Sequence, residues 1–402
     1  MRAVMTSLGT TGDVQPFLGL ANELQRHGHD AVLAMPPKYE ARVKNAGFSY
    51  APIGSALESS VWNEIGARQM ILTDPIEQTR FYLNTVLPAL PGMYRELLAL
   101  CEQADVLISA PFQLAARMVY DATRLPFVSV HLSPFGSGGN KALRAVSAPL
   151  VNPYRQQEGL PPLEDPLGAD GASPQLALYA VSRFIFRPPA QWPPHYRITG
   201  YFFFEEESWQ VDPALEAFVA AGDPPVVITF GSMPAAAPGE QVRLLLEAVE
   251  QANCRAVIQH RESELTEKSQ LPASVYATGF IPHRWLFPRA SCIVHHGGAG
   301  TTAAAFRAGV PTVVVPHLLD QPIWAEYARA LGCAGAVIPH AQLTAERLSA
   351  AITKTVHGAR YSRSAGQMRQ QLDNENGIQT ACRFIEQMLQ NAGSKRLEGV
   401  LQ

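Results

Sequence analysis

The chain has little charge, no dominant charge of either sign and no long apolar run. Charged residues make up 17% of its 402 positions, against about 25% in ordinary soluble proteins. Lys and Arg number 32 and Asp and Glu 35, for a net charge of −3. Without a basic excess, neither nucleic acid nor an anionic membrane is attracted in bulk. Any polyanion has to be held at one local, backbone-built site. No stretch approaches about 18 uninterrupted apolar residues, so no integral membrane segment is expected. The longest apolar segment, Leu176–Phe186, is broken by Arg183. The opening MRAVMTSLGTTGD has no apolar core of the signal-peptide kind. Cys101, Cys254, Cys292, Cys333 and Cys382 are odd in number, widely spaced and free of any Cys-x-x-Cys. They read as free thiols in a reducing compartment, and the expected location is the cytoplasm. No His, Cys and carboxylate cluster has metal-ligand spacing and no Asp-x-Asp occurs, so no metal is expected.

What is present is a repeated grammar of short apolar strand, turn and helix. At 402 residues the length favours two domains. The run Arg2–Ser7 leads through Leu8–Asp13 into a helix from Val14 to about His27. Strand-like runs follow at Asp30–Met35, Val106–Ser109 and Phe127–His131. A second series holds Pro225–Phe230, a helix Gly239–Gln251, Arg255–Gln259, Ser291–His296 and Val310–Pro316. Alternating strands and helices imply parallel, doubly wound sheets. Between the two series, Pro134–Pro174 is rich in Gly, Pro, Ser and Asn and reads as a long functional loop. The expected architecture is α/β, with two Rossmann-like domains whose parallel sheets face an interdomain cleft. Residues 1–205 form the first domain, 206–222 a linker and 223–376 the second domain. Residues 377–402 form a C-terminal stretch, helical over Gly377–Gln390, that suits either domain.

The segment SCIVHHGGAGTTAAAFRAG carries the most information. A strand enters Gly297, Gly298 and Gly300, and Thr301 and Thr302 open a helix. Glycines let backbone N–H groups approach an anion, and a helix N-terminus adds the positive end of its dipole. His296 and the Thr301 hydroxyl add donors, which makes a diphosphate site without lysine. The bland alternative is a tight turn with glycines present for packing alone. A sharper rival is the dinucleotide pattern G-x-G-x-x-G/A at Gly298–Ala303, with Asp320 as the ribose acid. That reading is an NAD-dependent dehydrogenase. Against it stand the motif's late position, the short helix and the two histidines. Asp320 and Gln321 follow a strand end, where a carboxylate and an amide suit vicinal sugar hydroxyls. Asp320 also suits a plain helix cap.

In the first series, Asp13 stands where a helix N-cap is expected. Capping lowers a carboxylate pKa, whereas burial raises it towards the range of a useful general base. His27 and His29 read as structural, and His131, His283 and His317 stand at strand ends or loops near the expected site.

These residues resemble family 1 glycosyltransferases of the GT-B fold, and within them bacterial glycopeptide-antibiotic glycosyltransferases and sterol 3-β-glucosyltransferases. The resemblance runs nearly end to end. It rests on GTTGDVQPFLGLA (9–21), on GY…W…L…F…PPVVITFGSM (200–233) and on GFIPHRWLFPRASCIVHHGGAGTTAAAFRAGVPTVVVPHLLDQP (279–322). It implies inverting, metal-independent transfer of a hexose from UDP-glucose or a dTDP-sugar, with the nucleotide sugar as substrate and no cofactor. The acceptor it implies is a hydroxyl of a lipophilic small molecule. Asp13 aligns with the general base. His296, Gly298, Gly300, Thr301 and Ser232 align with the diphosphate site, Phe280 and Ile281 with the nucleobase segment, and Asp320 and Gln321 with the sugar. Plant relatives have a histidine base and a relay carboxylate, which here correspond to Asp13 and Ala110. A catalytically silent nucleotide-sugar-binding protein of the same fold remains an alternative, and both monomer and homodimer are compatible.

Overall fold

The computed structural model describes residues 1–72, 74–134, 141–205, 209–231, 238–259 and 271–400. The chain divides into two compact units, Met1–Phe204 with Glu375–Gln402, and Glu205–Asn374.

The first unit is built on seven strands: β1 (Arg2–Thr6), β2 (Asp30–Met35), β3 (Ser49–Pro52), β4 (Val106–Ser109), β5 (Phe127–His131), β6 (Leu176–Tyr179) and β7 (Tyr196–Ile198). They pair in the order β3-β2-β1-β4-β5-β6-β7, every pair parallel. Side chains alternate across the sheet. Ala3, Met5, Leu33 and Ile108 enter one core with Phe17, Leu20 and Leu24 of the helix Thr11–Arg26. Val4, Val32 and Leu107 enter another with Leu90, Met93, Leu97 and Val119. Both faces are covered, which is why these strands read as continuous apolar runs.

The last helix, Gly377–Val400, extends beyond its expected end at Gln390. Ala381, Cys382 and Ile385 join the first of these cores. Glu386 Oε1 lies 2.9 Å from His27 Nδ1 and 3.0 Å from His29 Nε2, so both histidines are structural ties.

The expected loop over Pro134–Pro174 is corrected in part, because Lys141–Gln157 is a helix. Pro149 and Pro153 lie inside it and obscured its periodicity. Both prolines are exposed, four positions apart, while Leu143, Val146, Ser147, Val151 and Arg155 are buried. An interior proline costs about 3 kcal/mol, and this buried face offsets it. Arg155 Nη2 donates to Asp121 Oδ2 at 2.6 Å and its Nε donates to Pro161 O at 2.9 Å. Asn152 exchanges two hydrogen bonds with Leu163, at 2.9 and 3.0 Å.

The second unit holds β8 (Val226–Thr229), β9 (Ala256–Gln259), β10 (Val275–Thr278), β11 (Cys292–His295), β12 (Thr312–Val314) and β13 (Ala334–Val337). Their order is β10-β9-β8-β11-β12-β13, again all parallel. Ile228, Ile258 and Val294 face one core, and Val227, Val257 and Ile293 the other. Among the described residues, no helix is long and apolar enough to cross a membrane.

Arg155 is the side chain on which the Lys141–Gln157 helix is pinned. Arg155→Met takes from the buried Asp121 its one buried partner and leaves it with Arg117 and the exposed Arg124, and breaking such a pair costs about 3 kcal/mol. The expected result is a lower urea midpoint; an unchanged midpoint contradicts the assignment.

Candidate active site

A doubly wound sheet binds ligands at the carboxyl ends of its strands, where the strand order reverses. In the first sheet that point lies between β1 and β4, and in the second between β8 and β11. The segment Gly9–Asp13, a turn that runs into the helix Thr11–Arg26, follows β1, and the turn His296–Gly298 leaves β11.

Asp13 is not the N-cap of its helix. Thr10 is the N-cap, and Asp13 is the third helical residue. Its Oδ2 accepts the Thr10 N–H at 2.7 Å and the Thr10 hydroxyl at 2.9 Å. The carboxylate thus folds back as the acidic half of a capping box. Gly9 has φ +116°, and a Cβ there would lie 2.5 Å from Asp13 Oδ2. Only glycine lets the loop close over the carboxylate. Tyr39 donates its hydroxyl to Gly9 O at 2.8 Å. Burial raises the Asp13 pKa above its ordinary value, and the Thr10 bonds and the Lys38 charge act against that rise.

Several neighbours of Asp13 were missed in the sequence. The Lys38 ammonium lies 4.3 Å from the centroid of the Trp62 ring and 5.0 Å from that of Tyr39. Partial burial lowers its pKa to about 8 while Asp13 holds it up. Burial and the Asp13 charge both raise the Tyr39 and Tyr82 phenols. Tyr82 meets the half-exposed Phe112 edge-on at 6.1 Å. The available signal was Pro36–Tyr39 following β2; the rest come from distant helices. Ala110 follows β4 and is buried, so that position offers no carboxylate. His131 is stacked on Tyr179 at 4.4 Å in the core.

In the second unit, β8 runs into Phe230 and Gly231, and β11 into His296. A Cβ at Gly231 would lie 2.9 Å from His296 Cε1, and one at Gly298 would lie 2.4 Å from His296 Nε2. The imidazole is wedged between the two glycines. The packing explanation therefore holds for Gly298, though what is packed is the proposed ligand donor itself. His296 Nδ1 is buried and has no hydrogen-bond partner among the described residues. His295 is core: its Nδ1 accepts the Gly297 N–H at 3.1 Å.

The helix opens at Ala299, two positions before the expected start, with Gly298 as N-cap. Gly300 is exposed, and none of the described residues lies within 4 Å of a Cβ placed there. Thr301 is buried in the first turn, and Thr302 is fully buried, its hydroxyl without a partner among the described residues.

The remaining expected residues separate. Phe280 is 61% exposed, available for stacking. Ile281 is not: its side chain is core and its carbonyl accepts from Gln259 Nε2 at 3.0 Å. Asp320 holds the N-cap position without a side-chain cap bond; its Oδ2 accepts the Trp324 indole N–H at 2.8 Å. Gln321 Oε1 accepts the His317 and Leu318 N–H groups at 2.8 and 3.1 Å. Ser232 lies outside the described residues.

Comparison with known proteins bears on these two sites. Residues 3–119 match the glycosyltransferase family 28 N-terminal domain, and residues 243–381 match the erythromycin biosynthesis protein CIII-like C-terminal domain. An O-mycaminosyltylonolide 6-deoxyallosyltransferase of Streptomyces fradiae is 30% identical, over 96% of this chain and 97% of its own. The chain is a glycosyltransferase. A sterol 3-beta-glucosyltransferase of Arabidopsis thaliana is 27% identical over 98% of this chain, which spans 66% of that relative. A solved spinosyn rhamnosyltransferase complexed with thymidine diphosphate is 21% identical, with a TM-score of 0.76 over 96% of this chain and 100% of its own. The fold of this glycosyltransferase is thereby GT-B, and the dehydrogenase reading falls.

The second unit of the glycosyltransferase gathers uncharged imidazoles. Burial lowers His283 and His296 to about 4, and His295 and His317 to about 3, with neighbouring imidazoles adding to the effect at all but His296. The unfolded chain binds protons near the ordinary 6.5 that the folded chain refuses. Stability is therefore full above pH 6.5 and is expected to fall as pH drops towards 4. Histidine NMR titration is expected to show His295 and His296 unprotonated at pH 6; protonation there contradicts the burial.

Proposed function

We propose that the protein transfers a hexosyl group from a UDP- or dTDP-activated sugar to a hydroxyl of a lipophilic small molecule, with inversion and without a metal. The observation that carries this reading is the His296 imidazole, held between Gly231 and Gly298 at the second sheet's switch point. Beside it lie an open Gly300 and the N-terminus of the helix Ala299–Ala308. A diphosphate there meets backbone N–H groups, a helix dipole and an imidazole donor. The neighbour solved with thymidine diphosphate supports a nucleoside diphosphate as the occupant. Phe280 stacks on the base, with Ile281 anchoring its segment. Asp320 faces the sugar, and Ser232 keeps its role from sequence alone. Relatives named for a tylonolide and a sterol support a lipophilic acceptor, as do Trp62, Tyr82 and Phe112 around Asp13.

The chemistry follows from these groups. Asp13 accepts the acceptor's hydroxyl proton while its oxygen attacks the anomeric carbon from the face opposite the diphosphate. The bond to the diphosphate oxygen breaks, and the configuration inverts. The charge that develops on the leaving oxygens is met by His296, Thr301 and the N–H groups at Gly298 and Gly300. Proton removal and charge stabilisation each contribute about 2–4 kcal/mol to lowering the barrier. Raising the Asp13 pKa strengthens the base, and the Thr10 bonds and Lys38 keep it ionised.

Two experiments test this. Thermal unfolding is expected to shift upward with dTDP or UDP and not with NAD. His296→Ala removes the shift. Gly300→Ala stabilises the free protein by about 0.4–1 kcal/mol yet also loses the shift, because its new methyl occupies the anion's approach. A full shift in both variants overturns the diphosphate site. Asp13→Asn is expected to lower kcat about 100- to 10,000-fold, and the wild-type rate is expected to fall below a pKa above the ordinary 3.8 of aspartate. Unchanged transfer by Asp13→Asn refutes the base.

A further inference from the structure

The loop between β12 and the helix Gln321–Ala330 is short and tightly held. Gln321 Oε1 grips the His317 and Leu318 N–H groups from one side. Leu319 takes φ +55° and is 56% exposed. A left-handed backbone costs a non-glycine residue about 1–2 kcal/mol and marks a position held for a purpose.

His317 itself is clamped on three sides. Its Nδ1–H donates to Val315 O at 2.8 Å. The ring stacks on His340 at 4.2 Å and meets Phe230 edge-on at 5.3 Å. The bond to Val315 settles the tautomer: the proton sits on Nδ1, and Nε2 is left as an acceptor. Among the described residues, Nε2 makes no hydrogen bond. Burial and the neighbouring imidazoles keep the ring uncharged.

Its place in the sheet matters. Phe230 precedes Gly231, the wall of the His296 wedge. Val315 N–H donates to His295 O at 2.8 Å, which joins the end of β12 to the end of β11. His317 thus stands one strand over from the proposed diphosphate turn, and His340 one strand further. An uncharged ring presenting a lone pair repels phosphate oxygens. What it accepts is a hydroxyl proton. The hydroxyl-bearing group next to a donor diphosphate is the sugar to be transferred.

We propose that His317 Nε2 accepts a hydroxyl of the transferred sugar, so that the protein selects a hydroxylated hexose over a deoxy counterpart, with Gln321 as the residue that positions the loop. This rests on the donor reading given above. A deoxy donor leaves the lone pair desolvated and unpaired, and a site built to bond a hydroxyl discriminates against that loss. Gln321 thereby acts on the sugar through His317.

The test compares UDP-glucose or dTDP-glucose, whichever is turned over, with its mono-deoxy analogues. Wild type is expected to disfavour one analogue by about 10- to 100-fold in kcat/KM. His317→Phe is expected to lower kcat/KM for the hexose by that factor, leave that analogue nearly unchanged and keep the dTDP or UDP thermal shift. His317→Gln, which keeps an acceptor, restores part of the discrimination. A parallel loss for hexose and analogue, or no change, overturns the proposal. If His317→Phe does not fold, His317→Leu provides the same comparison. A wild type that shows neither a nucleotide shift nor transfer refutes the donor reading, and the assignment of His317 falls with it.

Discussion

A parallel sheet whose strand order turns back once leaves a gap between the two loops that diverge there. Crossovers of one hand put the flanking helices on opposite faces, so nothing fills the space above the strand ends. Both sheets of this protein are built around such a gap. In the first, Gly9–Asp13 follows β1 at the reversal; in the second, His296–Gly298 leaves β11. The remaining strand residues alternate into two apolar layers. They serve to hold these loop ends in place.

The two gaps handle charge differently. Around Asp13 the fold sets a half-buried carboxylate among aromatic rings, with Lys38 as the opposing charge. Around His296 the titratable neighbours among the described residues are other imidazoles. The imidazoles are held neutral, and the other donors are backbone N–H groups. An empty site lined by buried cations carries a desolvation cost of several kcal/mol per ion, whereas neutral dipoles do not. A chain of only 17% charged residues is consistent with this choice.

Much of the site's polar chemistry holds loops in shape. Asp13 closes the turn at Thr10 through Oδ2 of the carboxylate assigned as the base. Asp320 steadies the Trp324 indole, and Gln321 secures the backbone of His317. Such doubling restricts each side chain to one geometry, which is the condition for directed chemistry at a loop.

Sequence alone determined the α/β class, the parallel sheets and most strand positions. Buried parallel strands are continuous apolar runs between turns, and that pattern is local. β2 and β5 stand where the residues put them. The Gly-rich turn was legible for the same reason. The helix Lys141–Gln157 was not, because Pro149 and Pro153 break the local pattern and only burial against the rest of the unit stabilises it. Nor were the Lys38, Trp62 and Tyr82 surroundings of Asp13, which come from distant segments. Tertiary structure decided which polar atoms are spent on the fold and which stay free. Ile281 went to the core, Gln321 to its loop, and His317 kept an unspent lone pair. Hydrogen-bond partners and burial are set by three-dimensional neighbours, and no one-dimensional spacing encodes them.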